Sequence, residues 1–207
     1  MMVDSANTND VLNSRFNRVL AVVIWALDAL VTGSVIVADP GRDLLALVPA
    51  AFVALFAWEA LWRPNIDIGD DRIAFRNVFR TISIPWAALV HIDTKFALTL
   101  YTPGHHYSAW AAPAPGRAAS VRASRAQKGA AAHGIPGGAG ARPGDLIGTD
   151  SGDGAYLIRS RWTRLLNDGR IPTGVADVTP VEIGVHWRTA AVLGVLAVAS
   201  VVIAIAG

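Results

Sequence analysis

The chain has no cysteine. Disulfides, iron–sulfur clusters and thiolate zinc sites are therefore excluded. It is also short of charge, at 16% charged residues over 207 positions, against about 25% for a typical soluble domain. Lysine is nearly missing: of 18 basic residues, all but Lys95 and Lys128 are arginine. No Gly-rich phosphate loop, G-x-S-x-G or H-E-x-x-H string occurs. The Gly137–Gly140 string has no strand pattern before it and carries no phosphate-loop meaning. What is abundant is apolar surface, 53% of residues, with a mean hydropathy of +0.40. It is concentrated at both ends of the chain, with a polar middle. That distribution excludes an ordinary one-domain cytosolic enzyme and points to a membrane protein with a modest soluble domain.

Three runs have the length and composition of membrane spans: 19–38, 44–62, and 189–206 within a C-terminal segment set at 188–206. Crossing about 30 Å of hydrocarbon takes around 20 mostly apolar residues. The first run carries Asp28 near its middle. A central Asp costs about 2.5–3.5 kcal/mol, and eleven Leu, Ile and Val residues at about 0.3–0.6 kcal/mol each offset it. A cleaved signal peptide is the other reading of this run, opposed by Asp28 in its core and by the Ile36-Val37-Ala38 end. The turn Asp39-Pro40-Gly41-Arg42-Asp43 predicts a helical hairpin from the first two runs. Pro49 sits where a kink is tolerable, and Glu59 lies within reach of the interface. Fifteen of the 18 basic residues fall in 63–188, and Arg15 and Arg18 lie in the tail 1–18. The positive-inside tendency then predicts a cytoplasmic tail and middle, with Trp58, Trp62 and Trp187 as interface anchors.

The middle alternates. Ile66 and Ile68, Ile73 and Phe75, and Ile82 and Ile84 each sit at a spacing of two, with a turn at Gly69-Asp70-Asp71. Further β-rich runs are Leu89–Thr94, Phe96–Thr102 and His106–Ala111, and together these predict an antiparallel meander of at most six strands. Residues 113–153, rich in Ala, Gly, Pro and Arg, read as a disordered insert. Its basic residues, Lys128 and Arg142 among them, either touch anionic lipid or are simply solvated. Residues 154–168 predict one helix, with Asp153 as N-cap and Gly169 as stop. Ile158, Trp162, Leu165 and Leu166 form its packing stripe, flanked by Arg159, Arg161 and Arg164 as candidate lipid-facing residues. Residues 171–187 read as a linker.

Strands followed by one packing helix is the order of a pleckstrin-homology (PH) fold. The segment RPNIDIGDDRIAFRNVFRTISIPWAALVHI and the string Trp110-Ala111-Ala112-Pro113 resemble the bacterial PH-like domain of the low-molecular-weight protein antigen type. The resemblance covers 63–117 well and 154–170 loosely. It implies an α+β membrane protein: a two-helix transmembrane hairpin, a PH-like domain over 63–170, and a third transmembrane helix. It brings no catalytic motif and no cofactor. One departure stands out. The first hairpin loop, Gly69-Asp70-Asp71-Arg72, is acidic where phosphoinositide-binding PH domains are basic.

Among the histidines, His105 and His106 are adjacent, so on a strand they point to opposite faces and do not chelate one ion. Asp28 is the one physical anomaly: an ionisable residue at mid-membrane is a functional candidate by default, and the other reading is a protonated, hydrogen-bonded Asp packed inside the three-helix bundle. The sequence leaves three readings. The first is a non-enzymatic PH module at the inner membrane face, binding a protein segment or lipid headgroups and no nucleic acid. The second is a structural subunit of an envelope complex, with Asp28 paired to another chain. The third is a membrane enzyme or proton-coupled component, with Asp28 and Glu59 active in the bilayer.

Overall fold

The alternating isoleucines fold as their spacing dictates. In the computed structural model, β2 (Asn65–Ile68), β3 (Arg72–Arg76) and β4 (Arg80–Pro85) put Ile66, Ile68, Ile73, Phe75, Ile82 and Ile84 on one face, all completely buried. Burying each such side chain contributes roughly 1.5–3 kcal/mol over leaving it in water. The structure describes residues 9–38, 43–116, 120–125 and 143–206.

The strands form two antiparallel sheets rather than one meander. The first has the order β1-β2-β3-β4-β8, where β1 is Asp10–Leu12 and β8 is Glu182–Val185. The second contains β5 (His91–Asp93), β6 (Ala97–Thr102) and β7 (His105–Pro113). The chain breaks between the sheets because β4 ends at Pro85 and a 3-10 turn, Trp86–Ala88, follows. Trp86 is buried there, and its Nε1 donates to Gly69 O at 3.1 Å. Leu98, Leu100, Tyr107, Ala109 and Ala111 face the same core from the second sheet. Six strands lie between residues 65 and 113, as the pattern predicts. The strands β1 and β8 fall in stretches read as tail and linker, because three or four residues are too few to show a period.

Helix α3 (Asp150–Asn167) packs Ala155, Ile158 and Leu165 into this core. It starts four residues earlier than predicted. The N-cap is Thr149, whose Oγ1 accepts from Gly152 N at 3.1 Å, while Asp153 instead accepts from Gly148 N at 2.7 Å. Replacing Thr149 by Ala is expected to cost about 1 kcal/mol of stability, read from a urea unfolding midpoint. The C-terminus stops at Gly169 as expected. Gly169 has φ +67°, its N–H reaches Leu166 O, and Arg170 N donates to Leu165 O at 2.9 Å, a Schellman closure.

The last part of the insert read as disordered is ordered. Residues 143–145 form a 3-10 turn, Leu146 is buried, and Ser151 Oγ donates to Gly144 O at 2.9 Å. Of the rest of that insert, 117–119 and 126–142 lie outside the described residues, with Arg117, Lys128, His133 and Arg142 among them.

These elements constitute one unit: residues 1–14, 65–76 and 81–183. A second unit holds residues 15–64, 77–80 and 184–207. It contains α1 (Arg15–Ala38), α2 (Asp43–Ala57) with a π turn at Trp58–Trp62, and α4 (Trp187–Ala206). Both α1 and α4 lie against α2. Two helices, Arg15–Ala38 and Trp187–Ile205, are long and apolar enough to cross a membrane. Only 6% of each apolar window is buried. The middle run, expected as a full span, gives a shorter apolar helical stretch, Leu47–Trp62, interrupted in character by Pro49 and the π turn. The turn expected at Asp39–Asp43 lies, except for Asp43, outside the described residues.

Candidate functional site

The edge strand β1 pairs antiparallel with β2, with Asp10 opposite Ile68, Val11 opposite Asp67 and Leu12 opposite Ile66. Three side-chain features fix it against α3. Arg161 is 9% exposed, and a guanidinium taken that far from water needs acidic and carbonyl partners. It has them: Nη2 donates to Asp10 Oδ2 at 2.9 Å, Nη1 donates to Ile68 O at 2.7 Å, and Asp70 Oδ1 lies 3.5 Å from Nη1. Leu12 packs on the core beside Gly154, where an added Cβ would stand 3.6 Å from Leu12 Cδ1 and 2.8 Å from Leu98 Cδ2. Ser14, just past the strand, donates through Oγ to Asp150 Oδ2 at the start of α3.

Arg161 was expected among the lipid-facing arginines, and its burial removes it from that set. On α3 it lies three residues after Ile158 and four before Leu165, both fully buried, so it belongs to the packing stripe. Leu166, expected in the stripe, is 39% exposed. Arg159 is half-exposed and occupied: Nη1 pairs with Asp145 Oδ1 at 3.0 Å and Nη2 donates to Ile92 O at 3.4 Å on β5. Asp145 also accepts from Thr94 Oγ1 at 3.0 Å. Arg164 is exposed.

The acidic first hairpin loop gains a structural role. Asp70 faces Arg161 and also Arg170, whose Nη1 lies 3.5 Å from Asp70 Oδ2. Its charge is therefore engaged by arginines of, and just beyond, α3.

The outer face of the second sheet carries a cross-strand row of rings. His91, Tyr101 and His106 are register partners, with ring centroids 5.6 and 5.7 Å apart. Trp110, farther along β7, is 53% exposed. His105 stacks instead near Tyr107 on its own strand, so the adjacent histidines diverge as the strand period requires. Among the described residues no group of three or more His, Asp or Glu is arranged to hold a metal ion.

In the helical unit, Trp58 and Trp62 form a cluster with Trp25 of α1, a residue the sequence did not single out. Centroids lie 5.4 Å apart for Trp25–Trp62 and 6.2 Å for Trp25–Trp58, and Trp25 Nε1 donates to Ala54 O at 3.0 Å. The Arg18 guanidinium sits 5.2 Å above the Trp62 ring. Glu59 pairs with Arg63, which also reaches Thr189 of α4. Trp187 is 66% exposed with Arg188 over its ring. Asp28 is half-buried on α1, and among the described residues it makes no hydrogen bond or ion pair.

Comparison with known proteins adds one match. The sequence profile of the family described as Bacterial PH domain matches residues 63–168, just over half of the chain. No curated protein and no solved structure matches the chain significantly. The matched stretch runs from the end of the π turn through β2–β7 to the end of α3. With two antiparallel sheets packed on one C-terminal helix and the Ile-Pro-Trp and Trp-Ala-Ala-Pro strings in place, the chain belongs to the Bacterial PH domain family.

Proposed function

We propose that this chain is a membrane-anchored PH module that binds a protein segment at the cytoplasmic face, without catalysis. PH domains are generally non-catalytic binding modules. The observation that carries the preference for protein over headgroups is the use of the basic residues. Arg161 is buried in ion pairs, Arg159 is bound to Asp145 and Ile92, and the first hairpin loop offers Asp70 and Asp71 where an anion would need cations. Of the three arginines considered for lipid contact, Arg164 alone remains exposed and without an assigned partner among the described residues.

Strand connectivity bears on the number of crossings, while the apolar helices α1 and α4 support the anchoring itself. The strands β1 and β2 share a sheet, yet α1 and α2 lie between them in the chain. If α1 crosses the membrane, the chain has to cross again before β2, so that the crossings between the two strands are even in number. A hairpin supplies two when the shorter apolar stretch Leu47–Trp62, α2 continued by its π turn, crosses together with α1, and α4 supplies a third. A signal peptide cleaved after α1 would remove β1 from the sheet it completes. The arginines at 15 and 18 and throughout the middle favour the cytoplasm for this face.

Photo-crosslinking in native membranes tests the binding reading. A benzophenone side chain in place of Tyr101, Trp110 or Asn9 of the full chain is expected to give polypeptide adducts of discrete mass. Adducts with lipid alone at all three positions would contradict it.

Asp28 supports a second reading, a subunit of a larger envelope complex. A mid-membrane carboxylate with no partner in its own described helices is suited to a basic group of another chain. Asp28→Asn is then expected to abolish a co-purifying assembly on native gels while leaving expression unchanged. An unaltered native mass would remove this reading.

A further inference from the structure

Resting on the protein-segment reading, we infer that the partner's site is the β2 edge now filled by the chain's own β1, and that the segment it accepts is extended, with an acidic residue two positions before a leucine-like one. The edge has three recognition elements, and β1 displays how each is used. The main chain of Ile66–Ile68 provides the ladder. Arg161 is a buried clamp whose Nη2 takes a carboxylate from the strand, Asp10 at 2.9 Å, while Nη1 is held by Ile68 O and lies 3.5 Å from Asp70. Gly154 leaves a socket between Ile66 and Leu98 in which Leu12 sits, a space any side chain at 154 would fill. The middle residue, Val11, stands opposite Asp67 with its side chain 52% exposed. Strand addition of this kind takes affinity from the backbone and selectivity from alternate side chains.

The occupant is short and is held by its side chains more than by its ladder. It spans three residues and three register pairs, and Asp10 remains 43% exposed. A segment with a longer ladder and the same two side chains would compete with it for the edge. The N-terminal segment is thus a built-in competitor that a partner displaces.

The experiment uses the full chain in nanodiscs with a protease site between Asn13 and Ser14, nicked after folding and washed free of the released segment. The probe is a fluorescein-labelled peptide of residues 8–14. Saturable uptake by the nicked protein is expected, at least tenfold tighter than by the intact one, and lost at least tenfold when the peptide carries Asp10→Asn or Leu12→Asp. A second variant avoids the nick: Asp10→Asn in the intact chain weakens the competitor and is expected to admit the wild-type peptide. Uptake no better than by the intact protein, with the fold retained by circular dichroism, overturns the inference, as does equal uptake of the altered peptides. A wild-type chain found dimeric through exchanged N-terminal strands overturns the assignment to a different protein. The protein-segment reading fails separately, by lipid-only adducts in the crosslinking experiment.

Discussion

Arg161→Ala is expected to destabilise the PH domain by about 3 kcal/mol. Removing one member of a buried ion pair costs about 3–5 kcal/mol, because the remaining charges lose their compensation. The lower end applies, since Asp10 and Asp70 are 43% and 24% exposed and solvent screens part of the loss. The carbonyl of Ile68 also loses its donor. Arg161→Lys keeps the charge but loses the fork that spans Asp10 and Ile68 O, so an intermediate loss is expected. Urea titration with pulse proteolysis in detergent reads both. Hydrogen exchange at β1 and β2 should rise in the Ala variant before it rises in the second sheet. A change below about 0.5 kcal/mol would be the size of an ordinary surface substitution and would contradict the clamp.

Gly152→Ala carries the second large effect, about 2–3 kcal/mol. A Cβ at 152 would stand 2.1 Å from Leu146 O and 2.7 Å from Leu146 C. Both are backbone atoms, so the chain has to move, and overpacking of this kind costs roughly 1–3 kcal/mol. The shift also displaces Thr149, whose hydroxyl caps α3. Gly33→Ala is the control, since nothing lies within 4 Å of a Cβ there. In that helix the change is expected to be neutral or slightly stabilising. Equal thermal midpoints for the Gly152→Ala and Gly33→Ala variants would show that the close approach at 146–152 does not matter.

The same glycines explain what the sequence hid. The stretch 143–153 is poor in large apolar residues, and composition alone reads that as disorder. Its order rests instead on backbone approach: Gly144 against Thr94 O, Gly152 against Leu146 O, and a single apolar anchor, Leu146. Such contacts leave no periodic trace. The central strands were legible because each places two large apolar residues at a spacing of two, and all six are fully buried. The strand β1 was not, because Asp10–Leu12 is too short for a period and its partner is more than 50 residues away in sequence. Arg161 illustrates a different limit. Its i+3 and i−4 spacing to Ile158 and Leu165 was readable, but an arginine in an apolar stripe is assigned to the surface unless its acidic partners are known, and both came from other elements. Trp58 and Trp62 were visible as aromatic residues at a helix end, while their stacking on Trp25 depends on the pairing of α1 with α2.

On the proposed function, β1 and the rest of the PH domain lie on one side of the membrane, with α1 and α2 crossing between them. The absence of cysteine makes this directly measurable, because any single introduced thiol is the only one present. Cysteines placed separately at Asn9, at Arg164 and at Gly41 are to be probed in intact cells with a membrane-impermeant maleimide, before and after permeabilisation. Asn9→Cys and Arg164→Cys are expected to be protected until permeabilisation, and Gly41→Cys to be labelled in intact cells. Labelling of Asn9→Cys and Arg164→Cys from opposite sides, or of all three from the same side, would contradict it.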